Sequence, residues 1–238
     1  MWRFWVLSSV LWAQGGAYIA PLAHELGIGA VVHSYGWGIG LAGRSWKDDQ
    51  WGWAWQADLT SYRLREEVRT RSAYRDQGGR DYVFSKVNYV YLLEGVYAYQ
   101  RVVWYRSAVS AAQVSLSVGA GPALGLTKPY YIEIAVPISA TQAFIKVDTY
   151  DPQRYTYFDI VGEADFYLGF DKLRATPGVV GQAAIEVNFG RNPALFRALV
   201  VGARLQAFAQ GLQSLATKPP RQMWLSGILA FYIGNGWK

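Results

Sequence analysis

The chain has 238 residues, of which 52% are hydrophobic, 16% aromatic and 17% charged, with a net charge of +6 and no cysteine. Disorder needs low hydrophobicity and high charge, so it is excluded. A disulfide scaffold and a cysteine-ligated metal centre are excluded as well. The length fits one large domain, an all-β unit included.

Met1 to Ala13, MWRFWVLSSVLWA, places Arg3 ahead of a short apolar run, Phe4 to Trp12, that closes on a small residue. It reads as a secretory signal peptide, residues 1–13, which leaves 14–238 as a single domain. The longest charge-free stretch, Ser107 to Thr127, is long enough for a spanning helix but carries Gln113, Pro122, Gly119, Gly121 and Gly125. Within it Val114, Leu116, Val118 and Ala120 alternate with Ser115, Ser117, Gly119 and Gly121, the period of a strand.

The same period recurs along the chain. Trp51, Trp53, Trp55, Ala57 and Leu59 alternate with Gly52, Ala54, Gln56, Asp58 and Thr60. Val179 to Phe189, Leu199 to Ala207 and Leu225 to Ile233 repeat it. Each segment has the length of a tilted membrane strand, about 10 residues. The second face carries Gly, Ala, Ser, Gln and few charges, where a soluble sandwich would carry more Lys and Glu. Aromatics gather at segment ends, at Trp37, Trp46, Trp51, Trp104, Tyr105, Trp224 and Trp237, where an interfacial girdle belongs. The expected fold is all-β, an antiparallel up-and-down transmembrane barrel of the bacterial outer membrane.

About ten strands are expected, near 26–33, 37–46, 51–62, 82–93, 96–106, 113–126, 129–138, 177–189, 196–208 and 223–235, with eight or twelve also compatible. Short periplasmic turns would fall at Lys47 to Gln50, Glu94-Gly95, Thr127-Lys128 and Gly190 to Leu195. Outer loops would fall at His33 to Gly36, Arg63 to Asp81, Ser107 to Ala112, a long one at 139–176, and Ala209 to Gln222. Ala164 to Arg174 is compatible with a short helix.

The inward face then collects Arg44, Asp58, Lys86, Glu133, Glu186 and Arg204, with Gln56, Asn88, Gln182 and Gln206. Three positive and three negative charges in a narrow barrel read as an internal salt-bridge network rather than a selectivity ring. Arg63, Arg65, Arg69, Arg71 and Arg75 lie in one outer loop with Arg80, Glu66, Glu67, Asp76 and Asp81. They are candidate contacts for lipopolysaccharide phosphates, which suit the guanidinium fork. Lys128, Pro129 and Tyr130 are a candidate periplasmic docking motif. Histidine is confined to His24 and His33, and His33 beside Ser34 would not form a dyad, since neighbours on a strand point to opposite faces. No metal, cofactor or nucleic acid is expected.

Several stretches resemble a family of small outer-membrane β-barrel proteins of Bacteroidota, mostly without assigned function. They are His33 to Leu41, Phe84 to Asn88, Gly121 to Ile134, Gly169 to Asp171 with Pro177-Gly178, and Ile233 to Lys238. The resemblance implies an outer-membrane barrel and no reaction. The expected function is non-enzymatic: a structural or accessory subunit of an envelope complex, its lumen filled by side chains. Its partners would be outer-membrane lipid, lipopolysaccharide and other outer-membrane or periplasmic proteins. A narrow channel for a small solute is the alternative, and a lipid A-modifying enzyme a further one.

Overall fold

Strands form where apolar residues alternate with small or polar ones, because successive side chains of an extended backbone point to opposite faces. The computed structural model describes residues 23–105, 112–139, 143–189 and 194–238. The expected signal segment lies outside these residues. In chain order the strands are β1 (His24–His33), β2 (Gly36–Trp46), β3 (Trp51–Tyr62), β4 (Arg69–Thr70), β5 (Tyr82–Val83), β6 (Asn88–Trp104) and β7 (Ala112–Pro129). They continue with β8 (Tyr131–Pro137), β9 (Ala143–Thr149), β10 (Ile160–Glu163), β11 (Arg174–Phe189), β12 (Leu195–Leu212) and β13 (Arg221–Trp237).

Eight of them close into an antiparallel barrel in the order β1, β2, β3, β6, β7, β11, β12, β13 and back to β1. The closing pair runs from His24 opposite Trp237 to His33 opposite Ile228. Strand direction sorts the connections. The 47–50 turn lies at one end with the strand ends His24, Trp104, Ala112, Phe189, Leu195 and Trp237. The connections 34–35, 63–87, 130–173 and 213–220 lie at the other, the long-loop end.

The barrel closes with eight strands rather than ten, and two joins account for the difference. Glu94-Gly95 is no turn but the middle of β6, whose ladder with β7 passes from Glu94–Ala123 to Tyr97–Ala120. A Cβ built on Gly95 would come no closer than 3.7 Å to the Pro122 ring, an ordinary contact, so no close approach requires the glycine there. Thr127-Lys128 is likewise no turn. β7 runs through it to Pro129, and the segment expected as a strand at 129–138 becomes β8, which leaves the barrel.

Strand β8 pairs with β9 and β10 in a separate three-stranded sheet at the long-loop end. With the β4–β5 ribbon it forms a cap, packed on Tyr82, Tyr130, Ile132, Ile134, Tyr150 and Ile160. Ala164 to Arg174 is not a helix; it holds turns and a single 3-10 turn, Phe170–Lys172. Most of the expected loop Ser107 to Ala112 falls at 106–111, outside the described residues. The strand ends that flank it, Trp104 and Ala112, lie at the short-turn end.

The outer wall is apolar on every barrel strand: Ile28, Ile39, Leu59, Tyr97, Val118, Val179, Val201 and Leu225 are all exposed. Exposed charges on these strands, Arg101, Arg174, Arg197 and Arg221, sit close to strand ends. Near the short-turn end Trp53 stacks on Tyr97 at 5.1 Å and Trp51 on Tyr99 at 6.0 Å. Of the expected girdle, Trp46 and Trp224 belong inside instead, at 8% and 5% exposure, because both occupy inward parity positions. A closed barrel with an apolar exterior and a polar interior is an outer-membrane-type β-barrel. Its ring of paired strands leaves no sheet edge in lipid.

Candidate functional site

Two regions carry chemistry: the lumen and the cap over its mouth. In the lumen, Asp58 and Glu94 stand directly opposite each other on β3 and β6. Like charges so placed repel. Arg204, 2% exposed, reaches across from β12 and joins them. Its Nη2 donates to Asp58 Oδ2, and its Nη1 to Glu94 Oε2 at 2.9 Å. It also donates to Gln56 Oε1 at 3.1 Å and to Gln182 Oε1 at 2.7 Å. Tyr232 donates to the remaining Asp58 oxygen at 3.0 Å. The guanidinium therefore ties β12 to β3 and β6 across the lumen and to its neighbour β11, and charge-assisted bonds are the strong ones.

Towards the short-turn end, Arg44 binds Glu186 through both Nε and Nη2, and its guanidinium lies 5.1 Å from the Phe196 ring centroid. Glu25 is buried in the same tier, where Asn188 donates to its Oε1 at 3.5 Å. Towards the long-loop end the lumen turns apolar. Trp224 packs on Phe208 at 5.1 Å and on Tyr62 at 5.0 Å, with Leu92, Val180 and Leu212 around them.

Of the six expected lumen charges, Arg44, Asp58, Glu186 and Arg204 point inward and form the pairs just described. Lys86 does not lie on a barrel strand. It follows Ser85, whose φ of 68° turns the chain inward, and its Nζ binds Glu67 at 2.6 Å in the mouth. Burial pulls its ammonium below the ordinary lysine range, and Glu67 opposes that shift. Glu133 is not luminal at all. It belongs to the cap sheet and meets Arg80 at 2.8 Å, half in solvent, because β8 left the barrel. Glu25 and Glu94 are lumen acids that sequence reasoning missed; the parity of β6 marks Glu94 as inward once the strand is read unbroken.

The mouth is crossed by 213–216, which bonds to the 85–88 segment through Val87 N to Ser214 O at 2.8 Å and Ala216 N to Ser85 O at 2.7 Å. Ser214 also donates to Glu67. The expected periplasmic docking motif is elsewhere than expected: Lys128, Pro129 and Tyr130 lie at the long-loop end, and Lys128 and Tyr130 are buried. Lys128 Nζ donates to the carbonyls of Phe166 at 2.5 Å and Leu168 at 3.0 Å, inside a cage of Tyr89, Phe166 and Phe170 rings. The Tyr130 hydroxyl accepts from Val83 N at 3.0 Å. The motif joins cap to barrel rather than presenting a free rim.

His33 and Ser34 form no dyad. Tyr35 N donates to His33 Nδ1 at 3.2 Å, which leaves Nε2 to donate to Ser61 O at 3.1 Å, while Ser34 Oγ accepts from Gly227 N at 2.9 Å. Both side chains serve the β1–β2 turn.

Between the cap and the outer wall lies a cleft of about 1130 Å³, lined by Arg63, Arg69, Arg75, Arg80 and Lys86 among others. Three of the five expected lipopolysaccharide contacts, Arg63, Arg69 and Arg75, line it, while Arg65 and Arg71 do not. Arg69 lies 3.7 Å from Glu163, whose carboxyl burial raises above the ordinary glutamate range.

No protein-family model matches the sequence, and no curated protein matches it. Among solved structures the chain is similar to Ail, the attachment invasion locus protein of Yersinia pestis, at 10% identity and a TM-score of 0.37, over 91% of this chain and 99% of that one. Ail in complex with the heparin analogue sucrose octasulfate gives 11% and 0.38 over the same shares. The outer membrane protein OprG from Pseudomonas aeruginosa gives 11% and 0.34, over 92% and 95%. Similarity at this level carries no argument about ligand or activity.

Proposed function

We propose that the chain is a non-conducting, non-enzymatic barrel of the bacterial outer membrane that holds a folded cap at the membrane surface as a structural or accessory subunit of an envelope complex. The observation that supports this most is the Arg204 cluster, which spans the lumen from β12 to β3 and β6. A lumen crossed by paired charges, and covered by Trp224, Phe208 and the 213–216 segment, leaves solute no wet path. The cap, with its own sheet and core, is the part available to partners. The stretches His33 to Leu41 and Gly121 to Ile134 favour membership of the Bacteroidota barrel family named above.

Planar bilayers doped with the purified full chain test the lumen, and steady single-channel steps would overturn the sealed barrel in favour of a narrow solute channel. Mild cross-linking in native membranes, followed by identification of what co-purifies, tests the accessory role. Recovery as a lone monomer would overturn it. Altered lipid A in a deletion strain would instead favour a lipid-modifying enzyme.

A further inference from the structure

The cleft beside the cap has two unlike surfaces. Its floor is the outer wall itself: Trp37, Ile39 and Leu59 are 69%, 58% and 45% exposed, and Leu41 and Trp55 continue the same apolar wall further along β2 and β3. Its roof is cationic, with four arginines and Lys86 against Asp81 and Glu163.

Most of these cations are already matched. Lys86 is held by Glu67, Arg80 by Glu133 and Asp165, and Arg69 faces Glu163. Arg63 and Arg75 have no carboxylate within 4.0 Å among the described residues, and both line the cleft. Two guanidinium groups without a direct carboxylate partner, Arg63 only at longer range from Glu163, therefore stand over a hydrocarbon-like floor that runs into the lipid-facing wall.

We infer that this cleft holds the phosphorylated headgroup of a membrane glycolipid, with its acyl chains along the β2–β3 wall. Phosphate oxygens match the planar donor fork of arginine and accept from it as charge-assisted bonds. A free phosphate would meet the roof and leave the floor wet. An uncharged lipid would cover the floor and leave Arg63 and Arg75 unmatched. An amphiphile that carries phosphate next to its acyl chains satisfies both surfaces at once. The inference rests on reading the wall as lipid-facing, and it sharpens the arginine cluster of the 63–81 loop into one site with a defined entrance.

The test uses the full chain in neutral detergent, with bis-phosphorylated lipid A as probe and binding read by native mass spectrometry. Wild type is expected to hold lipid A saturably, and the double variant Arg63→Gln, Arg75→Gln to bind it about tenfold or more weakly. Dephosphorylated lipid A should bind wild type as weakly as phosphorylated lipid A binds that variant. The pair Arg65→Gln, Arg71→Gln, outside the cleft, should bind as wild type does.

Equal binding of the two lipid forms by wild type would overturn the proposal, as would an equal loss in the control pair. Competition by inorganic phosphate at matched concentration would reassign the site to a free anion and overturn the lipid. Heat-modifiable gel migration checks folding; if the double variant does not fold, the ratio of the two lipid forms on wild type decides. Insertion into phosphatidylcholine vesicles, read by flotation, tests the lipid-facing wall separately, so its failure is not confused with failure of the headgroup site.

Discussion

Asp58 and Glu94 face each other as register partners on neighbouring strands, and Arg204 pairs with both from across the lumen. Arg204→Met would leave two buried carboxylates opposed with no cation. Breaking a buried ion pair by removing one partner costs about 3–5 kcal/mol, whereas neutralising the whole group is often without cost. Arg204→Met is expected to unfold at distinctly lower urea in detergent. The triple variant with Asp58→Asn and Glu94→Gln is expected to regain most of the loss. Equal stability of the two variants would refute the pairing.

Gly40 lies across β2–β3 from Asp58, and a Cβ added there would come 2.0 Å from Asp58 Oδ1 and 3.0 Å from Val31 Cγ2. The carboxylate cannot yield freely, since Arg204 and Tyr232 hold it. Gly40→Ala is expected to destabilise the barrel by about 1–3 kcal/mol, the usual cost of overpacking. The loss should shrink in an Asp58→Ala background, a coupling that a double-mutant cycle measures.

Acid should act on the cap before the barrel. Hydrogen bonds from Lys146 and Tyr155 hold the Asp148 carboxyl at about 2, below its ordinary 3.8. A depressed folded value means the stabilisation is present above pH 3.8 and lost as pH falls towards 2. Glu163 has the opposite sign: burial raises its value, so the folded cap takes up that proton readily and gains stability as pH falls through it. Pepsin cleavage of the 143–160 region is expected to rise sharply between pH 3.8 and 2. Asp148→Asn should flatten that rise while the barrel keeps its heat-modifiable migration.

Lys128→Met should release the 164–172 segment without opening the barrel. It removes two hydrogen bonds from a charged donor and the cation held by three rings, and each charge-assisted bond is worth about 1.5–3 kcal/mol. Limited proteolysis at neutral pH is expected to cut this segment in the variant and spare it in wild type.

Period-two alternation made the barrel legible, because it reports which face a side chain takes, and a barrel is made of faces. Parity alone places Arg44, Asp58, Glu186 and Arg204 inside. It does not say who meets whom: Arg44 and Glu186 are 142 residues apart in sequence, and their meeting depends on register around the ring. Nor does it say which sheet a strand joins. Tyr131 to Pro137 alternates as a barrel strand does, yet it pairs in the cap, and that misplaced Glu133. Gly95 and Pro129 carry the chemistry of turns. Gly95 instead sits in the middle of β6, and at Pro129 the proline ends a strand instead of starting one.

The seam between β1 and β13 imposes an order on assembly. The first and last strands of the barrel are each other's neighbours, so the ring cannot close until β13 has docked. Until then Arg204, Asp58 and Glu94 remain hydrated, because the space that dries them does not exist. Closing the seam and stripping water from these charges is therefore one event. A chain that delays its most distant contacts to the last step folds slowly, and its apolar wall must be kept from aggregating until the ring is whole.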